Sequence, residues 1–167
     1  MNRRLRLGAR RIFRGALYYN GLSQVDDIAA CIYFYRVLEY FSFFVNAGEM
    51  TKLRHDQTIS DADYSRKIID LVHRDEKGPI FKLIVTLVDK TMIAQSLTEG
   101  LIKTPTANVL CESVYTFRNS IVHGKFSHGF ILQSGSVLDE DIMIPRWKFL
   151  LKNLARRALD HYGTKRT

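Results

Sequence analysis

Arg118 and His123 lie five positions apart, and their side chains could together cleave RNA without a metal ion. Such cleavage needs a base that takes the 2′-hydroxyl proton and an acid that protonates the leaving 5′-oxygen. It also needs a fixed cation to stabilise the charge that builds on the phosphorane. The pKa of histidine suits both proton transfers near neutral pH, and arginine holds phosphate oxygens in a permanently charged fork. A histidine before Gly124 is also a common favourable helix end, and that alternative stays open.

The spacing of this pair raises a geometric question. Five residues along an ideal helix separate two positions by roughly 140° of rotation. Arg118 and His123 therefore face one phosphate only if the helix loosens before Gly124, or if a second protomer completes the site. We favour the second explanation, which predicts a homodimer.

The same segment carries a family resemblance. The HEPN superfamily of small helical ribonuclease domains has an Arg-x4–6-His signature, and the chain resembles it at Arg118-Asn119-Ser120-Ile121-Val122-His123. Two more segments resemble helices of the ApeA-like, phage-defence members, namely Tyr35-Arg36-Val37-Leu38-Glu39-Tyr40-Phe41 and Trp147 to Gly163. The likeness covers roughly residues 15–163, and the signature is its specific part.

The resemblance implies a function. It implies a metal-independent endoribonuclease without a cofactor, which cleaves RNA, with tRNA as the expected substrate, to a 2′,3′-cyclic phosphate end. His123 would move protons, Arg118 would stabilise the transition state and Asn119 would orient the site. The implied setting is antiphage or toxin–antitoxin defence, with an antitoxin or the sensor domain of a larger effector as partner. The alternative is a HEPN domain that binds RNA or protein, or dimerises, and cuts nothing.

Arg36 and Glu39 are further candidates for the site. Some ribonucleases of the superfamily place an Arg-x-x-Glu from an earlier helix beside the signature, and Arg36 and Glu39 match that spacing. They could equally form an internal i, i+3 ion pair that stabilises an apolar helix. Lys125 stands where nucleotidyltransferase-regulated members carry tyrosine, so regulation by tyrosine adenylylation is not expected.

The charge of the chain predicts a polyanionic partner. The formal net charge is +8 over 167 residues, and six arginines precede the first acidic residue, Asp26. Nucleic acid is the commonest such partner, although solvated helix faces would give the same count. Cys31 and Cys111 lie in apolar patterns typical of buried thiols in a reducing compartment. We find no metal-ligand spacing, glycine-rich phosphate loop or nucleophile elbow, and we predict a cytoplasmic protein without a membrane span.

The pattern of apolar residues predicts an all-α fold: one bundle of five to six helices over residues 15–163, after a basic arm over residues 1–14. A short β-hairpin is predicted near residues 130–138. Glycines, prolines and capping residues set the expected helix bounds. These are about Ala9 to Asn20 with an end near Gly21, Asp26 to Ala47 with Gly48 after it, Ser60 to an end before Gly78, Pro79 to Glu99, Thr104–Pro105 to a stop at Gly124, and Pro145 to Tyr162.

Overall fold

A computed structural model of the chain describes residues 15–73, 77–123 and 137–163. All regular structure in these ranges is α-helical, which confirms the predicted all-α class. A first segment, α1, covers residues 15–23. It is followed by α2 (Asp27–Val45), α3 (Ala47–His55), α4 (Asp61–His73), α5 (Lys77–Leu87), α6 (Lys90–Thr98), α7 (Ala107–His123) and α8 (Val137–Gly163).

Helix α2 is the centre of the bundle and packs against α8, α5 and α7. It begins as predicted at Asp26, whose carboxylate accepts the backbone N–H groups of Ile28 and Ala29 at 3.0 and 3.3 Å. Phe34, Leu38 and Phe41 from this helix are buried in the core. By length and composition, the segment Asp27–His55 is apolar enough to cross a membrane. However, 44% of its most apolar stretch is buried within the bundle, and the core helix of a bundle can be equally long and apolar.

The predicted end of this helix was wrong, because Gly48 lies inside α3 rather than after α2. The chain leaves the helix at Asn46, which is buried, and resumes it at Ala47. The Asn46 side-chain amide donates to the Leu71 carbonyl of α4 at 3.4 Å. The break therefore lies at Asn46, beside a contact with a distant helix, and not at the glycine.

The single helix predicted from Pro79 to Glu99 is two helices. They meet at Asp89, which caps α6 by accepting the Met92 N–H at 2.8 Å. Arg157 of α8 donates to the Leu87 carbonyl at 2.8 Å and to the Asp89 carboxylate at 2.6 Å. The bond from Met92 and then that from Arg157 lower the pKa of Asp89. Helix α5 begins at Lys77, so Pro79 is its third residue rather than its first.

Gly21 does not end α1, which continues to residue 23. A β-carbon at Gly21 would lie 2.6 Å from the Phe34 ring, so glycine here permits close packing of α1 on α2. The predicted start at Ala9 lies outside the described residues.

Two other predicted helix starts had different outcomes. The Ser60–Asp63 cap is confirmed, since the Ser60 hydroxyl accepts the Asp63 N–H at 3.2 Å. Helix α7 starts two residues after Pro105, with Thr106 as the capping side chain.

Helix α8 begins at Val137, eight residues before the predicted start, and Pro145 lies within it. Gly124 and the segment 130–136 of the predicted hairpin lie outside the described residues, while Val137 and Leu138 are helical. Trp147 is buried and stacks on Phe117 with ring centroids 4.5 Å apart. This stack joins α8 to the helix that carries the signature residues.

Candidate functional site

Helix α7 carries Arg118, Asn119 and His123, and it continues without a break to His123. The helix therefore does not loosen between Arg118 and His123. On a regular helix the two α-carbons are rotated by about 140° and separated by about 7.5 Å along the axis. The side chain of His123 lies outside the described residues, as do Gly124 and Lys125. A continuous helix removes the first of the two geometric explanations, and a site shared between two protomers stays a prediction.

The guanidinium of Arg118 joins two of the predicted site residues. It donates to the Glu39 carboxylate at 3.0 Å and to the Asn119 side-chain oxygen at 3.1 Å. It also lies over the ring of Tyr35, with its carbon 5.6 Å from the ring centroid. The Arg118 side chain is 17% exposed and that of Glu39 is 39% exposed. A carboxylate, an amide and an aromatic ring thus hold the guanidinium in one orientation at the protein surface.

Arg36 stands apart from this group. Its side chain is exposed, and within the described ranges it forms no ion pair with Glu39. Glu39 pairs instead with Arg118, 79 positions later in the chain. The alternative of an internal Arg36–Glu39 ion pair is therefore not found among the described residues, where Glu39 contacts Arg118 instead.

Arg118 and Glu39 line a cleft of about 310 Å³ between α2 and the helices around it. One part of its wall is polar, through Glu39, Asn46 and Arg118. The remainder is largely aromatic or aliphatic and comprises Tyr35, Ser42, Phe43, Met50, Leu71, Pro79, Ile80 and Tyr115. Sequence reasoning missed the cleft, although Tyr115 lies three positions before Arg118 and so shares its face of α7.

A second cation lies beside the cleft wall. The Lys77 ammonium is 5.6 Å from the centroid of the Tyr115 ring and 5.0 Å from that of Phe81. It also forms an ion pair with Glu112 at 2.7 Å, in which both side chains are about half exposed. Tyr115 is therefore flanked by a lysine and, one turn along α7, by Arg118.

Among the described residues, the other reactive groups do not form a comparable site. The buried thiols have raised pKa values, about 12 for Cys31 and about 11 for Cys111, mainly because burial disfavours the thiolate. Such thiols are poor nucleophiles. The part of the chain that the structure describes holds no cluster of three or more residues of the metal-binding types. A second cavity of about 420 Å³, between α6 and α8, is lined by Phe149, Gln95 and Arg156 among others.

No protein-family model, curated protein or solved structure matches this chain. The assignment of a function therefore depends on the chemistry of the residues themselves. The observation that bears on it most directly is the oriented guanidinium of Arg118 at the wall of a cleft.

Proposed function

We propose that the chain is a metal-independent endoribonuclease of the HEPN kind. One observation carries the proposal: Glu39 and Asn119 orient Arg118 at the wall of a cleft, on the same helix as His123. An oriented arginine supplies a fixed positive charge where a phosphorane would form. The arginine of the Arg-x4-His signature thus lies at a surface cleft that an RNA strand could reach.

In the proposed reaction the 2′-oxygen attacks the adjacent phosphorus. A bond forms between the 2′-oxygen and phosphorus while the bond from phosphorus to the 5′-oxygen breaks. The 2′-hydroxyl proton passes to a base, and an acid protonates the 5′-oxygen, which leaves a 2′,3′-cyclic phosphate and a 5′-hydroxyl. His123 takes part in the proton transfers, and Arg118 stabilises the phosphorane. Glu39 and Asn119 act as positioning residues through their bonds to Arg118.

The proposed enzyme is a homodimer. His123 and Arg118 diverge by about 140° on a regular helix, so one copy of α7 does not turn both toward one phosphate. Two copies related by a two-fold axis would bring two arginines and two histidines together. This arrangement needs no other chain to complete the site.

The cellular setting is proposed from the resemblance alone. A ribonuclease of this kind, with tRNA as its expected substrate in the cytoplasm, would serve antiphage or toxin–antitoxin defence. An antitoxin or a sensor domain would restrain it, because an unregulated ribonuclease would harm its own cell.

One observation favours a non-catalytic alternative. The Arg118–Glu39 pair joins α7 to α2, and an ion pair between helices can serve packing alone. In that case the domain would bind RNA or a partner protein and leave RNA intact.

The experiment that separates the two is incubation of the purified protein with total tRNA in EDTA, followed by mapping of fragment ends. We expect fragments with 2′,3′-cyclic phosphate and 5′-hydroxyl ends from the wild type and none from Arg118→Ala. Arg66→Ala is a matched control, since Arg66 is an exposed arginine of α4 that pairs only locally with Asp63. Intact tRNA with the wild type would support the alternative, and activity that required magnesium would indicate metal-ion chemistry.

A further inference from the structure

The cleft beside Arg118 has a larger apolar wall than phosphate recognition requires. Phosphate needs cations and N–H donors, whereas Phe43, Met50, Leu71, Pro79 and Ile80 offer neither from their side chains. On the basis of the proposed ribonuclease function, we propose that this cleft binds one unstacked nucleobase of single-stranded RNA while Arg118 contacts the phosphate of the same nucleotide.

Phe43 is the residue that most favours a base as the occupant. Its ring lines the cleft and is 54% exposed, unlike the core phenylalanines of the same helix. Exposed aromatic rings are the platforms on which proteins stack unpaired bases. Tyr35 and Tyr115 add two more rings to the cleft, and Tyr35 is buried and so forms a fixed part of its wall.

Two cations lie in or beside the cleft, each paired with a carboxylate that is partly exposed. Arg118 lies in the wall and pairs with Glu39. Lys77 pairs with Glu112 beside the cleft, with its ammonium 5.6 Å from the centroid of the Tyr115 ring. A nucleotide offers a flat apolar base joined by a ribose to a phosphate, which matches an aromatic cleft beside an arginine. The charge of +8 on the whole chain adds attraction at longer range.

The polar groups in the wall would allow a choice between bases. The Glu39 carboxylate can accept N–H groups from a base edge while one of its oxygens is bonded to Arg118. The Asn46 amide lies in the same wall, with its nitrogen 3.4 Å from the Leu71 carbonyl and its oxygen 3.5 Å from the Lys82 ammonium. A base inside a duplex has both faces covered and its pairing edge occupied, so it cannot enter such a cleft.

The test measures binding rather than cleavage. The probe is a fluorescein-labelled 2′-O-methyl RNA oligonucleotide, which lacks the attacking hydroxyl, used as a single strand and as a duplex of the same sequence. We expect the single strand to bind the wild type at least about ten times more tightly than the duplex. Phe43→Ala should weaken single-strand binding by about ten-fold or more, as the loss of a stacking aromatic does. Phe43→Trp, which keeps an aromatic ring, should bind like the wild type.

Two further variants complete the design. Phe149→Ala removes a ring of similar exposure, 47%, from the other cavity and should leave binding unchanged. Met50→Glu places a negative charge in the cleft wall without removing Phe43, and it should weaken binding of the anionic probe even if Phe43→Ala does not fold. Circular dichroism melts verify the fold of each variant.

Several results would overturn the subsite. The proposed subsite would be wrong if single strand and duplex bound equally, or if neither Phe43→Ala nor Met50→Glu changed binding. It would also be wrong if Phe149→Ala lost as much binding as Phe43→Ala. Absence of oligonucleotide binding would also overturn it and would leave a peptide or a second protomer as the occupant. Because the probe cannot be cleaved, binding with no tRNA cleavage would contradict the proposed function alone, and cleavage without a Phe43 effect would contradict the subsite alone.

Discussion

The Nη2 atom of Arg118 lies 3.0 Å from the Oε1 atom of Glu39, and this pair joins α7 to α2 at the wall of the cleft. Glu39 is more than a third exposed, so solvent screens the attraction between the two charges. Pairs of this exposure contribute no more than about 1 kcal/mol to stability. The main consequence of the pair is therefore the orientation of the guanidinium.

The signature residues are tested by substitution. His123→Ala and Arg118→Ala should each abolish tRNA cleavage and relieve growth toxicity while the protein stays folded. Residues that act together in one transition state are not additive, so the double variant should be little worse than either single one. Activity is measured by fragment yield and folding by circular dichroism. Full activity of His123→Ala would contradict the assignment.

Glu39→Gln and Arg36→Ala form a matched comparison on α2. Glu39→Gln keeps the shape of the side chain but removes the charge that holds Arg118, so kcat should fall while the melting temperature changes by a few degrees at most. Arg36→Ala should alter neither, because Arg36 is exposed and does not pair with Glu39. A large loss of stability in Glu39→Gln, with full activity per folded molecule, would identify the pair as structural.

The composite site is tested by dilution and by mixing. Light scattering should show a homodimer, and specific activity should fall as the protein is diluted through the dimer dissociation constant. A mixture of wild type and His123→Ala should have less activity than the wild-type protein in it would have alone. The reason is that mixed dimers carry only one intact histidine. A monomer with full specific activity would exclude a site shared between protomers.

Two glycines should respond to alanine in opposite directions. Gly21→Ala places a methyl group 2.6 Å from the buried ring of Phe34, and such overpacking costs about 1–3 kcal/mol. Gly48→Ala meets no atom within 4 Å, and alanine in a helix is favoured over glycine by up to about 1 kcal/mol. Urea unfolding of both variants measures the two free energies. Equal effects would mean that close packing at Gly21 is not what requires glycine.

The buried thiol of Cys31 should lower the free energy of unfolding at alkaline pH. Burial raises the pKa of its thiol from 9.0 to about 12, so the folded state resists ionisation that the unfolded state permits. The free energy of unfolding should therefore be unaffected by this group below pH 9 and should fall as the pH rises from 9 toward 12. Urea unfolding at pH 8 and pH 10.5 measures this fall. Between these two pH values, the free energy of unfolding of Cys31→Ala should fall less than that of the wild type.

The sequence predicted those features of the fold whose causes are local. Asp26 and the Ser60–Asp63 pair begin their helices as expected, because a capping bond spans only two or three residues. The error at Gly21 has a non-local cause, because the close ring of Phe34 is what favours glycine there. Gly48 lies inside α3, and a β-carbon there would meet no atom within 4 Å, so no neighbour requires glycine. A glycine in a sequence therefore does not show whether a neighbour requires it.

The sequence predicted the residues of the candidate site but not their contacts. We predicted Arg118, Asn119 and Glu39 as site residues, yet the contact of Arg118 with Glu39 depends on how α7 packs against α2. Prediction of the cleft would require the packing of more helices, since its wall combines Phe43 of α2 with Leu71 of α4 and Pro79 of α5. No spacing rule within a single helix could have brought these residues together.

Arg157 links the turn between α5 and α6 to the packing of α8. Its guanidinium donates to the last carbonyl of α5, at Leu87, and to the capping carboxylate of α6, at Asp89. Asp89 caps α6 through a bond within its own segment, whereas the bonds from Arg157 come from a residue 68 positions away. The boundary between α5 and α6 is therefore stabilised in part by a different helix, and it depends on α8 being in place.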